Sequence, residues 1–425
     1  MFDVPASSQS AVSGIQAEDY NAVRRQSMRL VAELSAEDCA LQSMPDVSPA
    51  KWHLAHTTWF FETFILLPKL PGYSAFHPQF NYLFNSYYEA VGPRHARPQR
   101  GLLSRPSLEQ VLEYRRYVDG AMQQWLAQCC ADDWPLLRLG LAHEQQHQEL
   151  MLTDIKHVLA QNPLQPAYAP PADSAPQPSL PAARWLEQGE GLHLIGVSEP
   201  DGFCFDNEGP AHRVWLNAYA LASRPVSQGE WLEFMADGGY TTANLWLSDG
   251  WAWVQAGTRR APLYWYQDQG EWWQFTLHGA QRVNPDRPVA HLSFYEAAAY
   301  ALWAGARLPT EAEWEVLAAQ ILPAGTLPGA PCDSDFESQY VAATASSDWH
   351  GGVWEWTASS YAPYPGFRPP SGALGEYNAK FMASQMVLRG ASRATPAGHS
   401  RVSYRNFFYP ALQWQFSGLR LARDI

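Results

Sequence analysis

The chain has 425 residues, of which 46% are hydrophobic, and it carries a formal net charge of −13 at pH 7. This length is sufficient for more than one domain with its own core, and the acidity argues against nucleic acid as a partner. Polar residues interrupt every apolar run before the roughly 20 residues that cross a bilayer, so the sequence predicts no membrane span.

The amino terminus and the cysteines indicate the compartment. The opening residues lack the basic and apolar segments of a signal peptide. The 5 cysteines are scattered without CxxC spacing, which is usual in a reducing cytosol. We therefore expect a cytoplasmic protein.

Helical periodicity runs through the first part of the chain, to about residue 161. Ser48 followed by Pro49 predicts a helix start, with Ser48 as the N-cap and proline at the first helical position. The connection at 68–106 is long and rich in aromatic residues, so we interpret it as a functional insertion in a four-helix bundle. The four predicted helices span residues 17–34, 48–67, 107–126 and 139–159.

Two histidines in the fourth predicted helix are the most informative feature of this half. His143 and His147 stand at i and i+4, so both imidazoles can reach one metal ion. Leu and Met flank the pair, and a third candidate ligand, His56, lies in the apolar second helix. From the residues alone, a solvated histidine pair and a buried core histidine at position 56 remain alternatives to a metal site.

The same stretch matches the zinc-protease pattern, with Glu144 as the general base. That class needs a third ligand, usually downstream, but the glycine turn and histidine of the extended pattern are missing. His157 follows ten residues after His147, and at ~100° per residue it faces roughly 80° away. The sequence therefore disfavours a protease.

The composition changes after residue 161. Residues 162–184 contain seven prolines, which predicts a semi-extended linker. Beyond it, short strands, glycine turns and most of the 19 Trp and 20 Tyr favour a loop-rich fold. Three helices are predicted in this half, at 227–235, 293–304 and 310–318, the last with a capping box.

Five motifs in the second half resemble those of the formylglycine-generating-enzyme-like fold, a variant of the C-type lectin fold. They lie at 205–214, 307–315, 352–357, 387–392 and 418–423. The first half resembles the DinB-like helical bundle. Together with His56 and the His143 pair, the two halves resemble the iron-dependent sulfoxide synthases of ergothioneine biosynthesis over nearly the whole chain.

The resemblance implies an α+β protein. Residues 1–161 would form the bundle that carries the metal ligands, with the insertion at 68–106 binding substrate. Residues 162–184 would form the linker, and residues 185–425 the formylglycine-generating-enzyme-like domain.

The resemblance also implies a cofactor and a reaction. In that family three histidines hold a non-haem Fe(II), which maps onto His56, His143 and His147. A facial three-ligand site leaves three positions open on octahedral iron, enough for an imidazole, a thiolate and O2. The family joins the sulfur of cysteine or γ-glutamylcysteine to C2 of the imidazole of hercynine (Nα-trimethylhistidine), and O2 oxidises the thioether to a sulfoxide.

Four residues are expected at the hercynine site by the same resemblance. Gln146 would touch the imidazole. Asn406 and Phe407 fall where relatives surround the trimethylammonium group, and an aromatic face attracts such a cation. Phe408 stands where relatives carry an acidic residue; the alternative is that Phe407 and Phe408 are ordinary core.

The insertion supplies the residues expected at the sulfur donor. Arg97 and Arg100 lie in a non-helical basic segment of an acidic protein, which suits a small carboxylate; a solvated basic loop is the alternative. Tyr87 and Tyr88 resemble the paired tyrosines of one branch, where a phenol donates a proton to reduced oxygen. In the other branch that tyrosine comes from the second domain, with Tyr364 as the counterpart.

Other functions fit parts of the sequence. A zinc-dependent thiol transferase would use the same three histidines, and a lectin-like binding protein would use only the Trp-rich half. Formylglycine generation uses a late cysteine pair, but Cys332 is the only cysteine after Cys204. A related synthase could take unmethylated histidine or a selenium donor.

Overall fold

The computed structural model describes residues 17–169, 181–198, 203–322, 349 and 352–425. Cys332 and part of the predicted linker, residues 170–180, lie outside the described residues. The helices are α1 Ala17–Arg29, α2 Ala50–Phe61, α3 Leu67–Lys69, α4 Phe80–Phe84, α5 Leu108–Leu126, α6 Trp134–Ala160, α7 Gln228–Ala236, α8 Ser248–Gly257, α9 Phe294–Trp303 and α10 Glu311–Ile321. The strands are β1 Trp185–Gln188, β2 Gly191–Ile195, β3 His212–Leu216, β4 Tyr219–Ala222, β5 Trp265–Asp268, β6 Glu271–Thr276, β7 Gly279–Arg282, β8 Trp354–Ser360, β9 Met386–Gly390, β10 Asn406–Phe408, β11 Ser417–Leu419 and β12 Ala422–Asp424.

Helices α1, α2, α5 and α6 pack around one aromatic core in the first half. Helix α5 begins as its sequence predicts, because Ser107 and Gln110 form a reciprocal capping box. Helices α2 and α6 approach so closely that a Cβ at Gly140 would lie 2.7 Å from Cε1 of Phe61. This approach brings the buried residues of α2 against the middle of α6.

The start of α2 differs from the prediction. Its N-cap residue is Pro49, which offers no side-chain cap, and the helix begins at Ala50. Ser48 instead donates its backbone N–H to Asp154 at 2.8 Å and accepts a hydrogen bond from Arg100 at 2.9 Å. Hydrogen bonds to charged groups are stronger than those of a neutral helix cap. Ser48 therefore forms these tertiary contacts instead of capping the helix, which is what the local pattern predicts.

Two other boundaries differ from the sequence prediction. Helix α1 ends at Arg29, before the predicted limit at residue 34. The second predicted helix passes from α2 into a π-helical turn, Glu62–Leu66, before α3. The helix α8, Ser248–Gly257, was not predicted, because its glycine and tryptophans are typical of the loop-rich pattern around it.

The second half is built from small sheets. Strands β10-β9-β8-β11 form the largest, in which β8 and β11 are parallel and the other pairs antiparallel. Strands β1-β4-β12 and β5-β6-β7 form two antiparallel sheets, and β2 and β3 form a hairpin. The predicted α+β class is confirmed.

Helix α6 joins the two halves. The half-buried Glu149 carboxylate accepts hydrogen bonds from Trp354 at 2.7 Å, Ser392 at 2.5 Å and Thr395 at 2.8 Å. Burial raises the pKa of Glu149, although these donors partly oppose the shift. One helix therefore carries bundle core on one face and contacts to the second half on another. None of the described helices is long and apolar enough to cross a membrane.

Candidate metal centre and substrate cavity

Three histidines meet where α2 packs on α6. His56 lies on α2, and His143 and His147 are one turn apart on α6. One ring nitrogen from each lies within 4.8 Å of the other two. All three side chains are buried, and imidazole clusters of this kind suit zinc, copper, iron or nickel.

Several ring nitrogens in this cluster have no hydrogen-bond partner among the described residues. Nδ1 of His56 donates to the Phe84 carbonyl oxygen at 2.6 Å, which leaves a lone pair on the unpartnered Nε2. Both ring nitrogens of His143 are also buried and unpartnered. Such atoms cost about 1–3 kcal/mol each, and a metal ion would satisfy them. Burial lowers the pKa of His143 to about 3, so its imidazole is in the neutral, metal-binding form.

Glu144 faces away from the cavity and into the bundle. Its carboxylate accepts hydrogen bonds from Arg24 at 2.8 Å, from Arg115 and from Ser27. Burial alone would raise its pKa, but Arg115 and Arg24 outweigh burial and lower the pKa from 4.5 to about 2. A carboxylate held by two arginines is a poor general base, which counts against the zinc-protease interpretation.

A cavity of about 410 Å³ lies beside the histidines, and residues of both halves line it. Arg100 is 3% exposed, and its Cζ lies 3.3 Å from the centre of the Trp52 ring. Its other contacts are the hydroxyls of Ser48 at 2.9 Å and Ser86 at 3.2 Å. Within the described residues no carboxylate forms an ion pair with Arg100.

Arg97 also lines the cavity but is exposed at its rim. One of its nitrogens donates to the Asp46 carbonyl oxygen. Burial and the neighbouring Arg97 charge lower the pKa of Arg100. The Asp154 charge opposes this shift only in part, so a substrate carboxylate would supply the ion pair that Arg100 lacks among the described residues.

Gln146 projects from α6 into the cavity between two tyrosines. Its Nε2 donates to the Tyr404 hydroxyl at 2.7 Å, and its Oε1 accepts from the Tyr377 hydroxyl. The Tyr377 ring packs edge-on against His143, with centroids 5.7 Å apart. Tyr377 and Tyr404 lie outside regular strands, which is why no periodic pattern identified them.

The three residues expected around the trimethylammonium group also line the cavity and are half-buried. The backbone N–H of Phe407 donates to Asn406 Oδ1 at 2.9 Å. One face of the Phe407 ring stacks on Tyr361 with centroids 4.0 Å apart, and Phe408 meets the edge of Trp414 at 5.8 Å. The result is an aromatic wall at the cavity.

The three candidate tyrosines occupy different positions. Tyr87 lines the cavity, and its hydroxyl lies 3.5 Å from that of Tyr88, which is fully buried behind it. Tyr364 is absent from the cavity wall; its hydroxyl donates to Glu311 at 3.2 Å, and Arg405 covers its ring at 4.0 Å. The structure thus groups Tyr87 with the cavity and Tyr364 with a separate core of the second half.

Sequence reasoning also missed His53, which lies in the cavity wall. Its Nδ1 is 2.7 Å from Nδ1 of His147, and its Nε2 is 2.9 Å from Asp154. The spacing from His53 to His56 is i to i+3, which puts both on one side of α2. This spacing is the feature of the sequence that could have identified His53.

Comparisons with known proteins agree with this architecture. Residues 19–151 match the DinB superfamily, and residues 170–343 and 342–425 match the sulfatase-modifying factor enzyme 1-like domain. A hercynine oxygenase of Mycobacterium tuberculosis is 33% identical, covering 95% of this chain and 97% of that protein. The chain belongs to the hercynine oxygenase family.

Another hercynine oxygenase, from Mycolicibacterium smegmatis, is 33% identical and covers 96% of this chain and 98% of that protein. A formylglycine-generating enzyme of Thermomonospora curvata is 34% identical over only 30% of this chain and 46% of that protein. The likeness to hercynine oxygenases therefore spans both halves, whereas the likeness to that enzyme is partial.

The Glu144 contacts predict a stability effect with a defined pH dependence. Glu144→Gln removes the carboxylate that pairs with Arg115 and leaves Arg24 only its ion pair with Asp119, so it should lower the free energy of unfolding by about 3–5 kcal/mol at pH 7. Because the folded pKa is about 2 and the ordinary value is 4.5, the carboxylate's contribution is complete above 4.5 and is lost as the pH falls toward 2. The difference between the proteins should shrink by roughly 1.4 kcal/mol between pH 7 and pH 3.5.

Urea denaturation of the wild type and Glu144→Gln at both pH values measures this effect. Glu113→Gln, an exposed site on the neighbouring helix α5, is the matched control and should stay within about 0.5 kcal/mol of wild type. A difference independent of pH would contradict the assignment. Loss of turnover with metal and stability retained would revive Glu144 as a general base.

Proposed function

We propose that this protein is an oxygenase that joins the sulfur of cysteine or γ-glutamylcysteine to C2 of hercynine and forms the sulfoxide, using Fe(II) and O2. The observation that carries the proposal is a buried three-histidine cluster, two of whose members, His143 and His147, line a cavity formed by both halves of the chain. Membership of the hercynine oxygenase family supports the choice of substrate.

His56, His143 and His147 would hold the iron. The unpartnered buried nitrogens of His56 and His143 fit such a group, and three neutral ligands leave room for both substrates and O2. Bound Fe(II) would supply O2 activation and bring the thiolate and the imidazole together. The negative thiolate would replace the carboxylate that many non-haem iron sites use.

Arg100 and Arg97 would bind the carboxylate of the sulfur donor. Arg100 is buried, stacked on Trp52 and without a carboxylate partner among the described residues, so a bound carboxylate would form a strong charge-assisted hydrogen bond. Arg97 stands at the exposed rim, where it can attract the anion on entry. Arg100 is therefore the main determinant of affinity in this proposal.

Gln146 would orient the hercynine imidazole. Tyr404 and Tyr377 already fix both ends of its amide, so the side chain loses little conformational entropy when it binds a ring nitrogen. Asn406, Phe407 and Phe408 would surround the trimethylammonium group, because aromatic faces attract a quaternary cation that cannot donate a hydrogen bond.

Tyr87 would hold the proton that is passed to reduced oxygen. Burial raises its pKa above the usual range, so the phenol is protonated at neutral pH. Its hydroxyl meets only the Tyr88 hydroxyl among the described residues, at 3.5 Å, whereas the Tyr377 hydroxyl is already engaged with Gln146. The proton on Tyr87 Oη is thus the one free to move, with Tyr88 as its support.

A zinc-dependent thiol transferase is the second candidate, since the same histidines suit zinc. It gives no role to the second half, which contributes Tyr377, Tyr404 and the aromatic wall to the cavity. Cys204, a described cysteine of that half, does not line the cavity. These contacts favour the synthase.

The deciding experiment is an aerobic assay, followed by mass spectrometry, with Fe(II), hercynine, and either cysteine or γ-glutamylcysteine. Wild-type protein should form the sulfoxide, whereas His56→Ala, His143→Ala and His147→Ala should each lose stoichiometric Fe(II) and activity. His157→Ala is the matched control, because His157 bonds to Ser43 away from the cavity. Full activity in His56→Ala, or turnover with zinc alone, would contradict the proposal. The same assay with histidine in place of hercynine, or selenocysteine in place of the thiol, tests the related substrates.

Arg100→Ala should raise the apparent KM for the thiol by roughly 10- to 150-fold, the cost of one charge-assisted hydrogen bond of ~1.5–3 kcal/mol. Arg97→Ala should raise it by less, because its side chain is exposed. Steady-state kinetics with each substrate varied separately gives both values. The KM for hercynine should change little in either variant; equal losses for both substrates would argue against carboxylate binding.

Tyr87→Phe keeps the ring but removes the proton, so it should lower the ratio of sulfoxide to the simple oxidation product, the thiol's sulfinate. Binding of iron and both substrates should remain. Tyr364→Phe is the control, since its hydroxyl bonds to Glu311 outside the cavity. Measuring the product ratio for these two variants and for Tyr88→Phe and Tyr377→Phe identifies the proton donor. If the ratio changes only in Tyr377→Phe or only in Tyr364→Phe, the proton donor belongs to the second half.

A further inference from the structure

A chain of hydrogen bonds leads from the candidate metal centre to the second half of the protein. His147 contacts His53 through their Nδ1 atoms at 2.7 Å, and His53 Nε2 contacts the Asp154 carboxylate at 2.9 Å. His53 and Asp154 are 2% and 3% exposed. Neither residue is among the metal ligands, substrate contacts or proton donor of the proposed function.

The proton positions along this chain follow from the chemistry of its ends. The carboxylate of Asp154 can only accept, so Nε2 of His53 carries a hydrogen. A neutral His53 then has a lone pair on Nδ1 and accepts from Nδ1–H of His147. In this tautomer Nε2 of His147 keeps its lone pair, which is the form that a metal ion requires.

Asp154 is itself held from three directions. Its Oδ2 accepts the backbone N–H of Ser48 at 2.8 Å, besides His53. Its Oδ1 accepts Nε1–H of Trp414 at 3.0 Å. Ser48 precedes α2, and Trp414 belongs to the second half, so the carboxylate is fixed by contacts from both halves of the chain.

We propose that Asp154 and His53 are a positioning pair that keeps His147 in the Nδ1-protonated tautomer, and that Trp414 couples this pair to docking of the second half. The pair touches neither substrate in this scheme and acts through His147 alone. The inference rests on the proposed function only in taking the three histidines as a metal site.

The test is anaerobic titration of the full-length, metal-free protein with Co(II), whose visible absorption reports coordination without turnover. His53→Phe removes both nitrogens and keeps a ring, so it should weaken Co(II) binding by about 10- to 100-fold, as usual for partners of metal-ligating histidines. Asp154→Asn should weaken it in the same direction. His53→Gln, which restores a hydrogen-bonding side chain, should bind Co(II) more tightly than His53→Phe.

A double-mutant cycle separates positioning from general destabilisation. Because Asp154 acts through His53, His53→Phe with Asp154→Asn should bind Co(II) about as weakly as His53→Phe alone, whereas independent structural effects would add. His157→Phe, on the same helix α6 as His147 and bonded to Ser43, should leave the affinity unchanged. Trp414→Phe should reduce it by less than His53→Phe.

Co(II) affinity within about threefold of wild type in His53→Phe, or an additive double mutant, would overturn the positioning role. Wild-type affinity in Trp414→Phe would overturn the coupling to the second half. If His53→Phe does not fold, His53→Gln and Asp154→Asn carry the same comparison. Dependence of Co(II) binding on His53 in a protein that makes no sulfoxide would support this inference and refute the proposed function, so the two outcomes can be told apart.

Discussion

The buried carboxylate of Glu144 fixes the bundle directly behind the candidate metal centre. It joins α6 to Arg24 on α1 and Arg115 on α5, and each of these charges is costly to bury without the others. Since Glu144 is held on that side, its neighbour His143 and the next-turn His147 turn toward α2. Gly140 lets α2 come close enough for His56 to meet them.

The cavity results from the contact between the two halves. The bundle provides the histidines and Gln146, while the second half provides tyrosines and an aromatic wall. Glu149 and Asp154 secure this contact from the same helix that carries His143 and His147. Because one helix carries both the histidines and the contacts to the second half, the position of the second half depends on the geometry of the histidines. This dependence is a physical reason for joining a helical bundle and a loop-rich domain in one chain.

The cavity combines a buried positive charge with aromatic surface, which suits the zwitterionic substrates of the proposed function. Arg100 offers a desolvated positive charge in a protein of net charge −13, and the wall around Phe407 and Phe408 offers faces without hydrogen-bond acceptors. Electrostatic attraction is strengthened when water is excluded. In the proposed function, a carboxylate and a quaternary ammonium would thus be recognised by different chemistry in one cavity.

The local sequence determined what short-range periodicity and capping control. The spacing of His143 and His147 put both on one helix face, and Ser107, Ser227, Ser293 and Thr310 marked helix starts that the structure has. The family motifs indicated the α+β architecture before any tertiary contact was known. Only the tertiary structure decided that Ser48 lies in the site instead of capping a helix, and that Glu144 forms buried ion pairs. It also decided that Tyr87 and Tyr377 line the cavity while Tyr364 lies outside it. The contact of His53 with His147 likewise appears only in the folded chain. These features depend on side chains far apart in sequence, and their free energies come from desolvation and charge pairing, which appear only when the halves pack together.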